Sequence, residues 1–237
     1  LSFLMGRQEF VYLDTSRPDS ENFQSLLFLD PVDRLLCRGG DNLEEYLNHL
    51  QRRVTAGYYL AGWVGYEFGA MLEGGKIKNG GPDNDRRTIL ADLGVFLKPY
   101  RFNHHNGENN FPSYQTIPPG KHQYSINNIR PNMEKEEFVE ALKRVRRYIG
   151  AGDTYQVNYT MKLLFDFQGS AEQLYSVLRR NQSVAYGAYI GSGEERILSF
   201  SPELFFRKQG MEITARPMKG TAQRGRNSGE ERENSLW

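Results

Sequence analysis

Lys219 is followed directly by Gly220 and Thr221, at the end of a run that passes through Arg216-Pro217. A primary amine beside a glycine and a hydroxyl is a workable cradle for a carboxylate, with a nucleophile next to it. Gly220 lets a ligand come close to the backbone, and Thr221 offers both an N–H and an O–H. The proline ends regular pairing of the strand that leads in. A solvated surface turn carries the same residue types, so the pattern alone leaves both readings open. Upstream, Glu203 sits in Ser201-Pro202-Glu203, just before Leu204-Phe205-Phe206. Burial there would raise its pKa and keep a proton available for donation. A salt bridge to Arg207 or Arg216 is the competing reading. Gln156 and Asn158 fall on one face of an alternating stretch, 154–165, opposite Tyr155, Val157, Tyr159, Met161, Leu163 and Phe165. That polar face either meets solvent or lines a cleft.

The elements that must position these residues follow from periodicity. The pattern predicts strand, turn, strand over 24–38 with Asp30-Pro31 as the turn. A helix then opens at Asp41, with Glu44 closing a capping box, and ends at Gly57. Residues 58–68 read as a glycine-studded buried strand packed against another backbone, and 92–98 as a short strand. The polar loop 103–120 is the best internal boundary, giving regions 1–120 and 121–237. Its His104 and His105 lack the spacing and further ligands of a metal site. Asn132 caps a helix to Ile149 with Phe138, Leu142, Val145 and Ile149 as its buried stripe, and Gly150 and Gly152 stop it. Ser170 and Gln173 form a second capping box for a helix to Asn181. Strands over 184–190, 196–201, 204–208 and 211–216 then make an antiparallel meander. Helices followed by such a run of strands predict an α+β fold.

Composition removes several function classes. With 25% charged residues and a net charge of +1, nothing favours nucleic acid or an anionic membrane surface. No stretch resembles a signal peptide or a membrane span. The single cysteine, Cys37, lies in an apolar run and fits a buried thiol in a reducing compartment, so a cytoplasmic protein is expected. The chain starts at Leu1 and stops inside a charged stretch at Trp237, which leads us to expect a fragment of a longer protein.

The order and spacing of Gly152-Asp153-Thr154-Tyr155-Gln156-Val157-Asn158, Ser201-Pro202-Glu203 and Arg216-Pro217-Met218-Lys219-Gly220-Thr221 resemble the chorismate-utilising enzymes. Within them the chain is most similar to the aminodeoxychorismate synthase component I branch. The segments 57–73 and 26–37 resemble that family's N-terminal region. The anthranilate synthase branch typically has alanine at the place of Lys219, and the isochorismate and salicylate synthases have a water-activating lysine at the place of Gln156.

The resemblance implies amination of chorismate at C4. Lys219 would be the covalent nucleophile and Glu203 the general acid for the departing hydroxyl. Gly220, Thr221, Gln156 and Asn158 would hold substrate. A lysine at its usual pKa of about 10.4 is almost wholly charged at pH 7, so nearby positive charge (Arg216, Arg224) or apolar cover would have to activate it. The resemblance also implies Mg²⁺, with its ligands outside this chain, and a glutamine amidotransferase partner that supplies ammonia. Tyr186-Gly187 falls where the family binds tryptophan as an effector. Leu26-Leu27-Phe28-Leu29 stands in place of the Leu-Leu-Glu-Ser half of that motif, which puts feedback by tryptophan in doubt. Anthranilate synthase component I and a non-catalytic, small-molecule-binding remnant are the alternatives, and the reading frame beyond Trp237 would separate the last of these from an enzyme.

Overall fold

The structure is a computed structural model that describes residues 4, 6–74, 88–112 and 124–217. The protein is α+β, with antiparallel sheets and packed helices. The strands are β1 (Glu9–Asp14), β2 (Gln24–Leu29), β3 (Asp33–Arg38), β4 (Tyr59–Val64), β5 (Ile89–Phe96), β6 (Tyr100–Asn103), β7 (Tyr124–Pro131), β8 (Leu163–Gly169), β9 (Tyr186–Ser192), β10 (Glu195–Ser201), β11 (Leu204–Gln209) and β12 (Glu212–Arg216). The described helices are α1 (Leu43–Thr55), α2 (Tyr66–Leu72), α3 (Lys135–Ala151) and α4 (Ala171–Asn181).

Two compact units divide the chain. One comprises Leu1–Thr116 and Tyr175–Trp237, the other Ile117–Leu174. The sequence reading placed one division at 120; the first unit instead ends at Thr116 and resumes at Tyr175, and β9 pairs with β1 in one sheet.

The first unit holds a five-stranded sheet, β10-β9-β1-β2-β6, and a three-stranded sheet, β3-β5-β4. Asp30-Pro31 joins strands of different sheets: β2 pairs with β1 and β6, and β3 with β5. Asp30 takes a left-handed φ of 55°, a conformation that Asp tolerates better than most residues. One core cluster lies between the smaller sheet and α1 and α2, built from Leu35, Cys37, Tyr46, Phe68, Leu90, Ala91 and Val95. A second lies between the two sheets, built from Val11, Phe28, Ala61, Phe96 and Ile190. Alternation along β1 sends Val11 to this second core and Tyr12 and Asp14 to the opposite face, where Tyr175 of α4 packs.

Local chemistry explains the element ends. Asn42, not Asp41, caps α1, and its side chain accepts from the Glu45 N–H at 3.1 Å. Asp41 is used one turn earlier, accepting from the Arg38 N–H. The predicted strand over 58–68 is shorter: β4 stops at Val64 and α2 starts at Tyr66. The close backbone approach is real, since a Cβ on Gly62 would lie 2.0 Å from the Asp92 carbonyl oxygen.

In the second unit β7 pairs antiparallel with β8. Asn132 does not cap α3. Its side chain accepts from the Lys162 N–H at 2.9 Å, and Glu134 takes the N-cap, with the Glu137 carboxylate accepting from its N–H. Gly152 ends the helix with φ 81°. The long alternating strand over 154–165 is also corrected: residues 154–162 form no strand, and only Leu163 onward joins β8. The expected buried stripe of α3 is not buried. Leu142 and Ile149 are exposed, and Phe138 and Val145 half-buried, because no described element packs over them.

Candidate functional site

β11 and β12 form a two-stranded hairpin around the turn at Gly210. Its register pairs Leu204 with Arg216, so Glu203 and Pro217 flank the last pair at the same end. The strand reaches Arg216 and stops before the proline, as the sequence reading expects. Lys219, Gly220 and Thr221 lie outside the described residues.

Glu203 sits in the turn between β10 and β11. The Ser201 hydroxyl shapes that turn, accepting from the Glu203 N–H at 3.2 Å and donating to the Glu203 carbonyl at 3.0 Å. The expected burial of Glu203 is not found: the residue is exposed, because Pro202 and Phe205 beside it also face outward. Its proposed ion-pair partners are engaged elsewhere. Arg207 donates to Asn22 at 2.5 Å and approaches Glu21 at 3.4 Å, and Arg216 donates to Glu21 at 2.5 Å. The hydrogen bond that Arg216 donates to Glu21, followed by the Glu21 charge, pushes the Arg216 guanidinium up from its ordinary value. Arg216, read as a positive neighbour for Lys219, is therefore partly neutralised. Sequence reasoning missed Glu21 and Asn22, which stand nearly two hundred residues earlier in a stretch without periodicity.

Tyr186 is the register partner of Ser201, and Gly187 that of Phe200. The strand pairing thus sets Tyr186-Gly187 beside Ser201-Pro202-Glu203 on the β10 edge of the larger sheet. Both residues line a cavity of about 710 Å³ that Gln24, Leu26, Leu204 and Phe206 also border. Gly187 has a packing reason to be glycine as well. A Cβ there would lie 2.9 Å from the Asp14 carbonyl oxygen and 3.2 Å from the Tyr175 hydroxyl.

Behind that cavity lies a polar cluster that sequence reasoning did not find. The Asp14 side chain is fully buried. It accepts from Arg179 Nε at 2.5 Å and Nη2 at 3.1 Å, from the Tyr12 hydroxyl at 3.0 Å and from the Tyr175 hydroxyl at 3.1 Å. Burial first, and then the Asp14 charge, pushes both tyrosine hydroxyls far up, so they stay protonated as donors. Ser25 Oγ adds a weak bond to Asp14 and lies 2.8 Å from His104 Nε2. His105 stacks on Phe23 with ring centroids 4.8 Å apart. Both histidines thus serve packing. Among the described residues no group of three or more His, Cys, Asp or Glu side chains is arranged to hold a metal ion. Cys37 is buried, and burial pushes its thiol pKa up, away from nucleophilic use.

In the second unit Gln156 and Asn158 do share a side. Gln156 Nε2 donates to Asn158 Oδ1 at 3.3 Å, and Thr154 Oγ1 donates to the Gln156 carbonyl. Both are exposed polar side chains with donors and acceptors to spare. No described helix is long and apolar enough to cross a membrane.

Comparison with known proteins fits this arrangement. The chain is 35% identical to aminodeoxychorismate synthase component 1 of Klebsiella aerogenes over 95 residues, 40% of this chain and 21% of that protein. It is 33% identical to anthranilate synthase component 1 of Aquifex aeolicus over 105 residues, 44% of this chain and 21% of that protein. These matches thus span about a fifth of each curated relative. Its fold is similar to that of the crystal structure of anthranilate synthase component I from Streptococcus pneumoniae TIGR4, with a TM-score of 0.68 and 16% identity over 83% of this chain and 54% of that one. A family described as chorismate binding enzymes matches residues 8–236, and the chain belongs to that family.

Proposed function

We propose that this chain is part of an aminodeoxychorismate synthase component I, which aminates chorismate at C4. The observation that carries the reading is the Leu204–Arg216 pairing, which brings Glu203 to the same end of a hairpin as the chain leading to Lys219. In the proposed reaction the Lys219 amine bonds to C2 while the ring double bonds shift and the C4 hydroxyl leaves. Glu203 donates the proton that makes the leaving group water. Ammonia then bonds to C4, the double bonds shift back, and Lys219 departs from C2 with its electron pair restored. Chorismate and ammonia thus give 4-amino-4-deoxychorismate and water, with the enolpyruvyl group retained. Glu203 is exposed in these residues, so on this reading bound substrate takes it out of water. Gly220, Thr221, Gln156 and Asn158 contribute hydrogen bonds to substrate, and Tyr186 and Gly187 border an effector cavity. A cytoplasmic location, a glutamine amidotransferase partner as the ammonia source, and Mg²⁺ held by ligands outside residues 1–237 belong to the same proposal, as does a role in 4-aminobenzoate and folate synthesis.

The test supplies chorismate, ammonia and Mg²⁺ to the longest protein that the reading frame encodes, with the product identified by mass. Aminodeoxychorismate is expected, together with a covalent adduct that disappears in Lys219→Ala. Undiminished turnover by that variant would remove Lys219 from the mechanism. Formation of fluorescent anthranilate would favour the second reading, anthranilate synthase component I, which the Aquifex aeolicus relative supports.

A further inference from the structure

Hairpin β11–β12 carries an irregularity that decides which way Arg207 faces. The register pairs Leu204 with Arg216 and Arg207 with Thr214, so β11 uses three residues where β12 uses two. The extra residue is a β-bulge at 205–206, a device that re-aims side chains. Without it, residues 204 and 207 would face opposite sides of the ribbon. With it, Leu204, Arg207, Thr214 and Arg216 share one face. Two guanidinium groups on one face of a two-stranded ribbon repel unless an anion lies between them.

Glu21 supplies that anion. Its Oε1 accepts from Arg216 Nη2 at 2.5 Å, and its Oε2 lies 3.4 Å from Arg207 Nη1. The adjacent Asn22 accepts from Arg207 Nη2 through Oδ1 at 2.5 Å. Asp19 builds the loop that presents both residues. Its Oδ1 accepts from the Glu21 and Asn22 N–H groups at 2.8 and 2.7 Å, and its Oδ2 from Asn22 Nδ2 at 3.0 Å. Only this orientation of the Asn22 amide satisfies the Asp19 carboxylate and the Arg207 guanidinium together. β2 begins at Gln24, two residues on, so the bridge fastens the hairpin to the larger sheet.

The last pair of the hairpin is Leu204 with Arg216. Glu203 immediately precedes one member and Pro217 immediately follows the other. Among the described residues β11 and β12 pair with each other alone, so the ribbon depends on side chains for its placement. We propose that Glu21 is a positioning residue for the chorismate reaction: by bridging Arg207 and Arg216 from outside the hairpin, it fixes the turn that carries Glu203 relative to the strand end from which the chain continues to Lys219. The inference rests on the amination reading, which gives Glu203 and Lys219 their roles.

The test compares wild type, Glu21→Gln, Arg216→Gln and the double variant, in the longest protein that the reading frame encodes, with chorismate, ammonia and Mg²⁺. Glutamine keeps the shape of Glu21 and removes its charge. Glu21→Gln should lower kcat about tenfold or more, as misplacement of a reacting group does, and change KM for chorismate by less than about twofold. Amide exchange over 204–216 should quicken about tenfold in either single variant. The double variant should be no worse than the worse single one in either measurement, because the same bridge is lost in all three. Glu140→Gln, which removes an exposed pair with Lys143 inside α3, should leave both measurements unchanged. Circular dichroism should show every variant folded at the assay temperature. Wild-type kcat in Glu21→Gln would overturn the proposal even with faster exchange, since the bridge would then be structural alone. Unchanged exchange, or additive losses in the double variant, would overturn it as well. A wild type whose product is not aminodeoxychorismate would overturn the amination reading and the proposal with it. That failure shows in wild type, whereas failure of the bridge alone shows only in the variants.

Discussion

Asp92 shows how a single residue sets acid stability. Burial by itself would push its carboxyl up, but bonds from Arg34 and Ser192 and the Arg34 charge together hold it below its ordinary value. Arg34 Nη2 lies 2.5 Å away, and the Ser192 hydroxyl donates at 2.6 Å. Because the folded pKa is depressed, the unfolded chain binds the proton more readily. The stabilisation is present above the unfolded value of about 3.9 and is lost as pH falls below it, through the folded pKa. Asp92→Asn should cost about 3 kcal/mol near neutral pH, since it leaves a partly buried guanidinium without its counter-charge. It should also flatten the loss of stability below about pH 4. Urea unfolding at a series of pH values measures both effects. An acid limb as steep as wild type would mean that other carboxylates carry it. In sequence, Asp92 is one polar residue among apolar neighbours, and nothing local names Arg34 or Ser192 as its partners.

At the scale of elements, glycines separate what is legible from what is not. Gly62 of β4 and Gly69 of α2 lie seven residues apart, Gly62 inside the stretch 58–68 that reads as a single strand and Gly69 just past its end. The structure gives them opposite roles. A Cβ on Gly62 would lie 2.0 Å from the Asp92 carbonyl oxygen and 3.0 Å from Leu93 Cα, both backbone atoms that cannot step aside. Gly69 has open space around its Cβ position. Gly62→Ala should therefore destabilise by about 3 kcal/mol or more, as overpacking does. Gly69→Ala should stabilise by about 0.5–1 kcal/mol, because alanine loses less backbone entropy in a helix. Thermal unfolding of the two variants reads the sign directly. Hairpin β11–β12 and helix α4 were legible because turn glycine, proline and cap residues are local signals. The misassigned caps of α1 and α3 have a common cause: several polar residues compete for each helix start, and long-range demands decide. Asn132 is claimed by Lys162 before it can cap α3.

For the whole molecule, the decisive pairing joins residues far apart in sequence. β1 is the middle strand of the larger sheet and pairs with β9, Phe10 opposite Gly191. The sequence reading assigned no strand to 9–14, since one apolar run near the start carries no sign of its partner. The same distance effect hid Glu21 from Arg207 and Arg216, although the hairpin end that holds Glu203 was anticipated from its motif. A Cβ on Gly191 would lie 2.5 Å from the Phe10 ring and 2.9 Å from the Gln8 carbonyl oxygen. The glycine thus makes room for the phenylalanine, which is 1% exposed and packs edge-on against Tyr189. Gly191→Ala should destabilise by about 2–3 kcal/mol through overpacking, and Phe10→Leu by about 1–2 kcal/mol through lost packing. Combined, they should cost less than the sum by about 1 kcal/mol, because the smaller side chain vacates part of the space that the new methyl needs. Relief will be incomplete, since the Gln8 carbonyl stays where it is. Denaturant unfolding of the four proteins in the cycle gives the coupling, and strict additivity would break the link between the two ends of the chain.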